Sequence, residues 1–307
     1  MKESEALNLS KLMEDHQIYV TRIQDVDVDE EGNLYILDDR EGNVVGIDLK
    51  TGSLIRRISS MGQGPAELMR PMALRIRNSK VFVLSGAFIK VFSLRGEFLS
   101  GFRPESLPRG LDVDRDENIY ISRLDRESNP TICVYDIKGN LIKTVWTLRL
   151  DKEAIMKDRA ESHKNSFFVF RVDQEGNIII LHTLLRKVMK ISPSGALLWE
   201  IKIENSLLEP FYKNEGTYYD EGGEPIVRFI VGYFDIDQSN NIVIAHRGGG
   251  CIYNPKGELI SLIEVQLEPA NESPRNIRLP RIFGDRLLAV FITSNALLFP
   301  YKSRDLN

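Results

Sequence analysis

Hydrophobic and polar residues alternate along this chain in short runs separated by polar turns, with none of the three-to-four spacing of an amphipathic helix. "VDVDEEGNLYILD" at residues 26–38 joins two apolar runs through one turn. The phrase returns as "LDVDRDENIYISR" at 111–123, "FRVDQEGNIIILH" at 170–182 and "FDIDQSNNIVIAH" at 234–246. Period-two alternation bounded by Asp, Asn and Gly predicts strand, turn, strand, with the turns centred on Asn33, Asn118, Asn177 and Asn241. A second phrase follows each time: "GIDLKTGSLI" at 46–55, "VFSLRGEFLS" at 91–100, "VYDIKGNLIK" at 134–143, "KISPSGALLW" at 190–199 and "IYNPKGELIS" at 252–261. Here too two strands flank a turn, and Gly52, Gly96, Gly139, Gly195 and Gly257 occupy the position that disfavours a Cβ.

One unit is therefore four strands. Gly52, Gly96 and Gly139 recur 44 and 43 residues apart, the length of a four-stranded propeller blade. Weaker copies, "LRIRNSKVFVLS" at 74–85 and "PRIFGDRLLAVFI" at 280–292, bring the count to six units. The last unit ends after three strands near "NALLFPYK", and residues 5–20 have no place in the first. A strand from that N-terminal stretch is expected to complete the last blade, leaving no open sheet edge. The expected fold class is all-β: a six-bladed propeller of four-stranded blades, one domain over residues 1–307.

The stretch "SSMGQGPAEL" at 59–68 raises the question of a phosphate cradle. A P-loop needs a Lys-Ser/Thr pair leading into a helix, and this stretch has no lysine and leads into a strand. Its Gly62, Gly64, Pro65 and Glu67, followed by Pro71, place a glycine-rich run and a proline just before the next blade. In this the chain resembles six-bladed β-propellers of the NHL-repeat type, over roughly residues 20–302, and the stretch reads as a crossover between blades. The resemblance implies a fold more than an activity, and its bacterial relatives point to the periplasm or cell surface.

Composition narrows the partners. The chain has 307 residues, 42% hydrophobic and 27% charged, with a formal charge of −4. No global attraction to nucleic acid follows from that balance. No apolar run reaches the length of a membrane span, so a soluble monomer with no membrane insertion is expected. The two cysteines, Cys133 and Cys251, fall at one repeat position a blade or more apart and read as core thiols.

Candidate chemistry lies in three places. The insertions at 147–166 and 204–228 lengthen two blade-to-blade connections, and long loops in compact domains carry function. The second holds Phe211, Tyr212, Tyr218 and Tyr219 among acidic residues, a contact surface for a protein, peptide or glycan, or else a lid packing its own aromatics. Five residues past the turn asparagines stand Asp38, Arg123, His182 and His246, a candidate acid/base or metal set. Asp27, Asp112 and Asp235 recur on first strands, as a carboxylate ring for Ca²⁺ or as acceptors for neighbouring backbone groups, with Arg171 a partner for one of them.

The favoured expectation is a non-catalytic binding propeller that presents its loop-rich face. The alternative is a metal-dependent hydrolase or lyase of the lactonase kind, with Ca²⁺ held by the aspartates and His182 or His246 as general base.

Overall fold

The computed structural model describes residues 7–127, 129–149, 168–182, 187–203, 217–219, 225–227, 233–246, 249–264, 277–283, 286–291 and 296–300. A two-residue strand β1 (Leu7–Asn8) and the short helix α1 (Leu9–Asp15), about two turns long, come first. Asn8 caps the helix, its side chain accepting from Lys11 N.

Then come β2 (Ile23–Val28), β3 (Leu34–Asp38), β4 (Asn43–Ile47) and β5 (Leu54–Ile58), followed by β6 (Pro71–Arg77), β7 (Lys80–Ser85), β8 (Phe88–Ser93) and β9 (Phe98–Phe102). The next group is β10 (Pro108–Val113), β11 (Ile119–Leu124), β12 (Pro130–Tyr135) and β13 (Leu141–Thr147), and after it β14 (Phe168–Val172), β15 (Ile178–His182), β16 (Lys187–Ile191) and β17 (Leu197–Lys202). A short hairpin, β18 (Thr217–Tyr219) and β19 (Pro225–Val227), precedes β20 (Tyr233–Ile236), β21 (Ile242–His246), β22 (Gly249–Tyr253) and β23 (Leu259–Glu264). Last are β24 (Ile277–Phe283), β25 (Arg286–Phe291) and β26 (Ala296–Pro300).

Among the described residues, five four-stranded antiparallel sheets are each made of consecutive strands, and a further sheet has the order β1-β26-β25-β24. In that composite sheet β1 pairs with β26 through Leu7↔Leu298 and Asn8↔Leu297. The chain divides into two compact units, one of residues 7–147 with 294–298, the other of 148–293 with 1–6 and 299–307.

The repeated hairpin has a specific local cause. Asp29 Oδ1 accepts from the backbone N–H of Glu31 and Asn33, and its Oδ2 accepts from Asn33 Nδ2 at 2.9 Å. The same clasp forms at Asp114/Asn118, Asp136/Asn140, Asp173/Asn177 and Asp237/Asn241. Asp-x-x-x-Asn is thus the turn signal, a side chain standing in for a backbone acceptor. The left-handed residue is not the asparagine on which the pattern centred the turn but the one before it: Gly32, Glu117, Gly176 and Asn240. The five glycines of the second phrase do take positive φ.

Strand burial follows position within the sheet. β3 and β12 are buried at every residue, whereas the outermost strands β5 and β13 expose most of theirs. Neighbouring sheets share one core in each region: Tyr35, Leu37 and Val44 pack with Leu74, Val83 and Phe92 in the first unit, and Ile179, Leu181 and Val188 with Phe234, Ile242 and Cys251 in the second. Burial pushes the Cys251 thiol up to about 12, as expected of an inert core thiol.

Candidate functional site

Antiparallel order decides which loops meet. In the first unit the β2–β3 and β4–β5 turns lie at one end of their sheet, and the β3–β4 turn lies at the other with the connection into the next sheet. First strands of adjacent sheets run side by side in the same direction, because Asp25 reaches Leu74 N and Asp27 reaches Ile76 N. The connecting loops of these sheets therefore share one end.

At that end each first strand carries a bulge. Pairing passes from Ile23↔Asp38 to Asp25↔Leu37, from Pro71↔Ser85 to Ala73↔Leu84, and from Pro108↔Arg123 to Gly110↔Ser122. Gln24, Met72 and Arg109 are the extra residues, and Gln24 Nε2 donates to Met72 O at 3.4 Å. Bulges break the strand alternation and re-aim side chains.

Beneath them lies a buried charge layer. Arg75, 4% exposed, donates from Nη1 to Asp25 Oδ2 at 3.0 Å and from Nε to Asp112 Oδ1 at 2.6 Å. Burial alone would lower the arginine's pKa, but Asp112 and Asp25 outweigh it and hold the guanidinium charged. The aspartates have a second task. A first strand pairs with its own sheet on one side only, so its other edge offers N–H groups that need acceptors. Asp25 Oδ2 accepts from Leu74 N at 3.0 Å, Asp27 Oδ2 from Ile76 N at 2.8 Å and, in the second unit, Asp235 Oδ2 from Ile282 N at 2.9 Å.

The metal candidates thus have these neighbours: Asp27 also meets Arg77 Nη1 at 3.3 Å, Asp112 meets Arg75, and Asp235 meets Arg171 Nε at 3.5 Å and Arg281 Nη1 at 3.9 Å. Among the described residues no three His, Cys, Asp or Glu side chains gather as a ligand set. The acid/base candidates stand on four different sheets. Asp38 is fully buried and accepts from the backbone N–H of Thr21, Arg22, Arg40 and Glu41, which makes it the clasp of its loops. Arg123 Nε donates to Cys133 Sγ at 3.2 Å, and its Nη groups approach Glu105 and Ser106.

His182, 2% exposed, packs on Phe168 with ring centroids 5.8 Å apart. Burial first, then nearby Lys187, lowers its pKa to about 4, so it is neutral at pH 7. His246 ends β21 and pairs with Gly249, while its side chain lies outside the described residues. Phe211 and Tyr212 also lie outside them, as do the 147–166 insertion beyond residue 149 and most of 204–228. Tyr218 and Tyr219 are on β18, whose register is Tyr218↔Ile226 and Tyr219↔Pro225.

The loop end of the first unit displays apolar side chains that the hydrophobic pattern does not mark. Met61, Met69, Met72, Phe88 and Leu107 are 46%, 44%, 37%, 45% and 64% exposed. The 59–70 crossover that carries the first two is held from within. Lys90 Nζ, nearly buried, donates to Gly64 O at 2.6 Å and to Glu67 O, the Glu67 carboxylate accepts from Gly64 N, and Ser59 Oγ donates to Ala66 O. Gly42 of the β3–β4 turn lies so close that a Cβ there would come 2.6 Å from Met61 Cα, and Gly86 N donates to Arg70 O. Turn, crossover and turn form one continuous surface. The signal was in the text, three methionines in "SSMGQGPAELMRPM", but exposure cannot be read from composition.

Two sequence-level comparisons are negative: no protein-family model matches the chain, and no curated protein does. Solved structures do match. Virginiamycin B lyase from Staphylococcus aureus, in a catalytically inactive form with quinupristin, superposes with a TM-score of 0.59 at 12% identity, covering 97% of this chain and 98% of its own. A calcium-binding protein, regucalcin, from Agrobacterium tumefaciens gives 0.53 at 14%, covering 93% and 94%. A streptogramin B lyase gives 0.53 at 11%, covering 92% and 84%. The chain has a β-propeller fold. Identity this low carries the architecture and no activity, and the NHL-type resemblance finds no support from a family match.

Proposed function

We propose that the chain is a single six-bladed propeller, with the composite β1-β26-β25-β24 sheet as its last blade, and that it is a non-catalytic binding module. Its loop ends would receive a protein, peptide or glycan. The observation that carries this reading is the set Met61, Met69, Met72 and Phe88, large apolar side chains left exposed at one end of their sheets, the first two on a crossover pinned by hydrogen bonds from Lys90 and Ser59. Contiguous apolar surface on a soluble fold marks interaction sites, methionine adapts to varied partners, and a loop held before binding has less entropy to lose.

The test is retention of peptides and glycans from arrays by the wild-type chain and by the M61S/M69S/M72S/F88S variant. Retention by the wild type that the variant loses supports the reading; a wild-type chain that retains neither class refutes it.

A second reading, a hydrolase or lyase of the lactonase kind, is favoured by His182, kept neutral at pH 7 at the loop end of β15. It requires Asp27, Asp112 and Asp235 to exchange their present partners for Ca²⁺. Thermal unfolding of metal-stripped protein with and without Ca²⁺ tests it: a ligand at ~100 times its dissociation constant adds about 2.7 kcal/mol, and no shift counts against it.

A further inference from the structure

We infer that the ligand of the first unit's loop end is an acidic peptide segment carrying apolar side chains. The inference rests on the binding-module reading and names its ligand class.

Charge at this end is free to act. Arg40, Arg70, Arg103 and Arg109 are all exposed, and among the described residues none of them has a carboxylate partner. Their places bracket the apolar set. Arg40 is on the turn that abuts Met61, Arg70 follows Met69, Arg109 is the bulge residue of β10 as Met72 is of β6, and Arg103 opens the connection that leads to Leu107.

The carboxylates at the same end are committed elsewhere. Asp38 accepts four backbone N–H groups, Asp39 pairs with Arg22, and Glu41 accepts from Thr21 Oγ1 at 3.0 Å. Glu67 is folded against its own loop, Glu105 faces Arg123 at 3.5 Å, and Asp125 clasps Asn129. What an approaching molecule meets is four guanidinium groups with no carboxylate partner among the described residues, near three methionines and a phenylalanine, with Glu41 and Glu105 as exposed carboxylates that already have partners. Guanidinium groups recognise carboxylates through paired N–H donors, and the apolar set between them demands side chains to bury. A sulfated or phosphorylated small molecule would use the cations and leave the apolar set exposed. An acidic peptide with leucine- or phenylalanine-like residues uses both.

The experiment is selection of a displayed library of random peptides on the full chain. Enriched peptides are then synthesised, labelled and titrated by fluorescence anisotropy against wild type, R40E/R70E/R103E/R109E and M61S/M69S/M72S/F88S, with circular dichroism confirming that each variant is folded. The expected result is enrichment of Asp and Glu together with large apolar residues, and binding at least about tenfold weaker in the charge-reversed variant and in the serine variant, with added salt weakening the wild type. Enriched peptides that are neutral or basic, or acidic ones that the charge-reversed variant binds equally well, overturn the acidic ligand; if the serine variant still loses them, the binding-module reading stands. Enrichment of no peptide also overturns the acidic ligand, and the glycan array then decides the binding-module reading by itself.

Discussion

Replacing Arg75 by methionine tests the buried charge layer directly. The side chain is sandwiched between Asp25 Oδ2 at 3.0 Å and Asp112 Oδ1 at 2.6 Å, and both carboxylates are nearly inaccessible, with side chains 5% and 1% exposed. Methionine replaces the aliphatic stem and removes only the cation. Two buried carboxylates are then left facing each other's field, and removing one partner of a buried pair costs about 3–5 kcal/mol. The triad lies wholly in the first unit, so the urea transition of that unit should fall by this amount at pH 7. A loss of ~3 kcal/mol corresponds to a fall in Tm of roughly 6–12 °C for a unit of about 150 residues. The sign with pH follows from which form the variant tolerates. Carboxyl groups that have lost their cation are better accommodated neutral, so the penalty shrinks as pH falls through the ordinary carboxylate range near 4. Making the layer neutral, as in D25N/R75M/D112N, should restore a large part of the loss at pH 7. Urea unfolding of the three proteins at pH 7 and pH 4 decides it. A loss below about 1 kcal/mol for R75M, or one that does not change with pH, would mean that solvent reaches the layer and the reasoning fails.

Three further outcomes follow from single contacts. His182 has its pKa lowered to about 4 in the fold against 6.5 outside it, so its contribution is complete above pH 6.5 and is lost as pH falls toward 4, at most about 3 kcal/mol; thermal unfolding of H182Q should lack that segment of the pH dependence. Gly139 has φ +86°, and a Cβ there would lie 2.5 Å from Phe102, whereas at Gly176, φ +79°, the nearest atom is 3.6 Å away. G139A should therefore cost more than about 2 kcal/mol and G176A about 1 kcal/mol, and equal losses in denaturant would show that the clash relaxes. K90M removes the lysine donor from Glu67 O and from Gly64 O, which keeps only Glu67 N, at about 1–3 kcal/mol, and hydrogen exchange should accelerate across 59–70 more than in β3 or β12.

How far the sequence could be read depended on whether a feature repeats. Asp-x-x-x-Asn and the turn glycines recur, so strand order, hairpins and the four-stranded unit were legible from pattern. The pairing of β1 with β26 was legible as well, from the missing strand at the end of the last unit. The site was much less so. Asp38, Arg123 and His182 occupy equivalent repeat positions, yet the structure gives them unlike partners: backbone amides, a thiol and an aromatic ring. Repeat position fixes where a Cα lies and leaves the side chain's partner to the neighbouring loops, which do not repeat. Arg75 is not legible from the sequence, because an arginine inside a strand reads as a solvated face until the aspartates of two other sheets are seen to meet it. Met72 and Arg109 depend on bulges, and one inserted residue moves a side chain without leaving a mark in composition.

The way carboxylates are used also says where chemistry can be. A first strand in each sheet has a free edge, and this chain satisfies that edge with aspartate side chains at Leu74, Ile76 and Ile282. A carboxylate spent on a backbone N–H stabilises the sheet for as long as it stays there, and withdrawing it to hold a ligand would expose a buried donor at a cost of about 1–3 kcal/mol. The first strands are accordingly poor places to bind anything that competes for their aspartates. The loop end of the first unit has no such obligation. Lys90, Glu67 and Asp38 secure its backbone from beneath, so exchanging solvent for a partner over Met61, Met69 and Arg70 breaks none of the hydrogen bonds that hold the fold. Under the proposed binding-module reading, scaffold and contact surface are separated by residue, which allows the exposed set to change while the sheets beneath it stay the same.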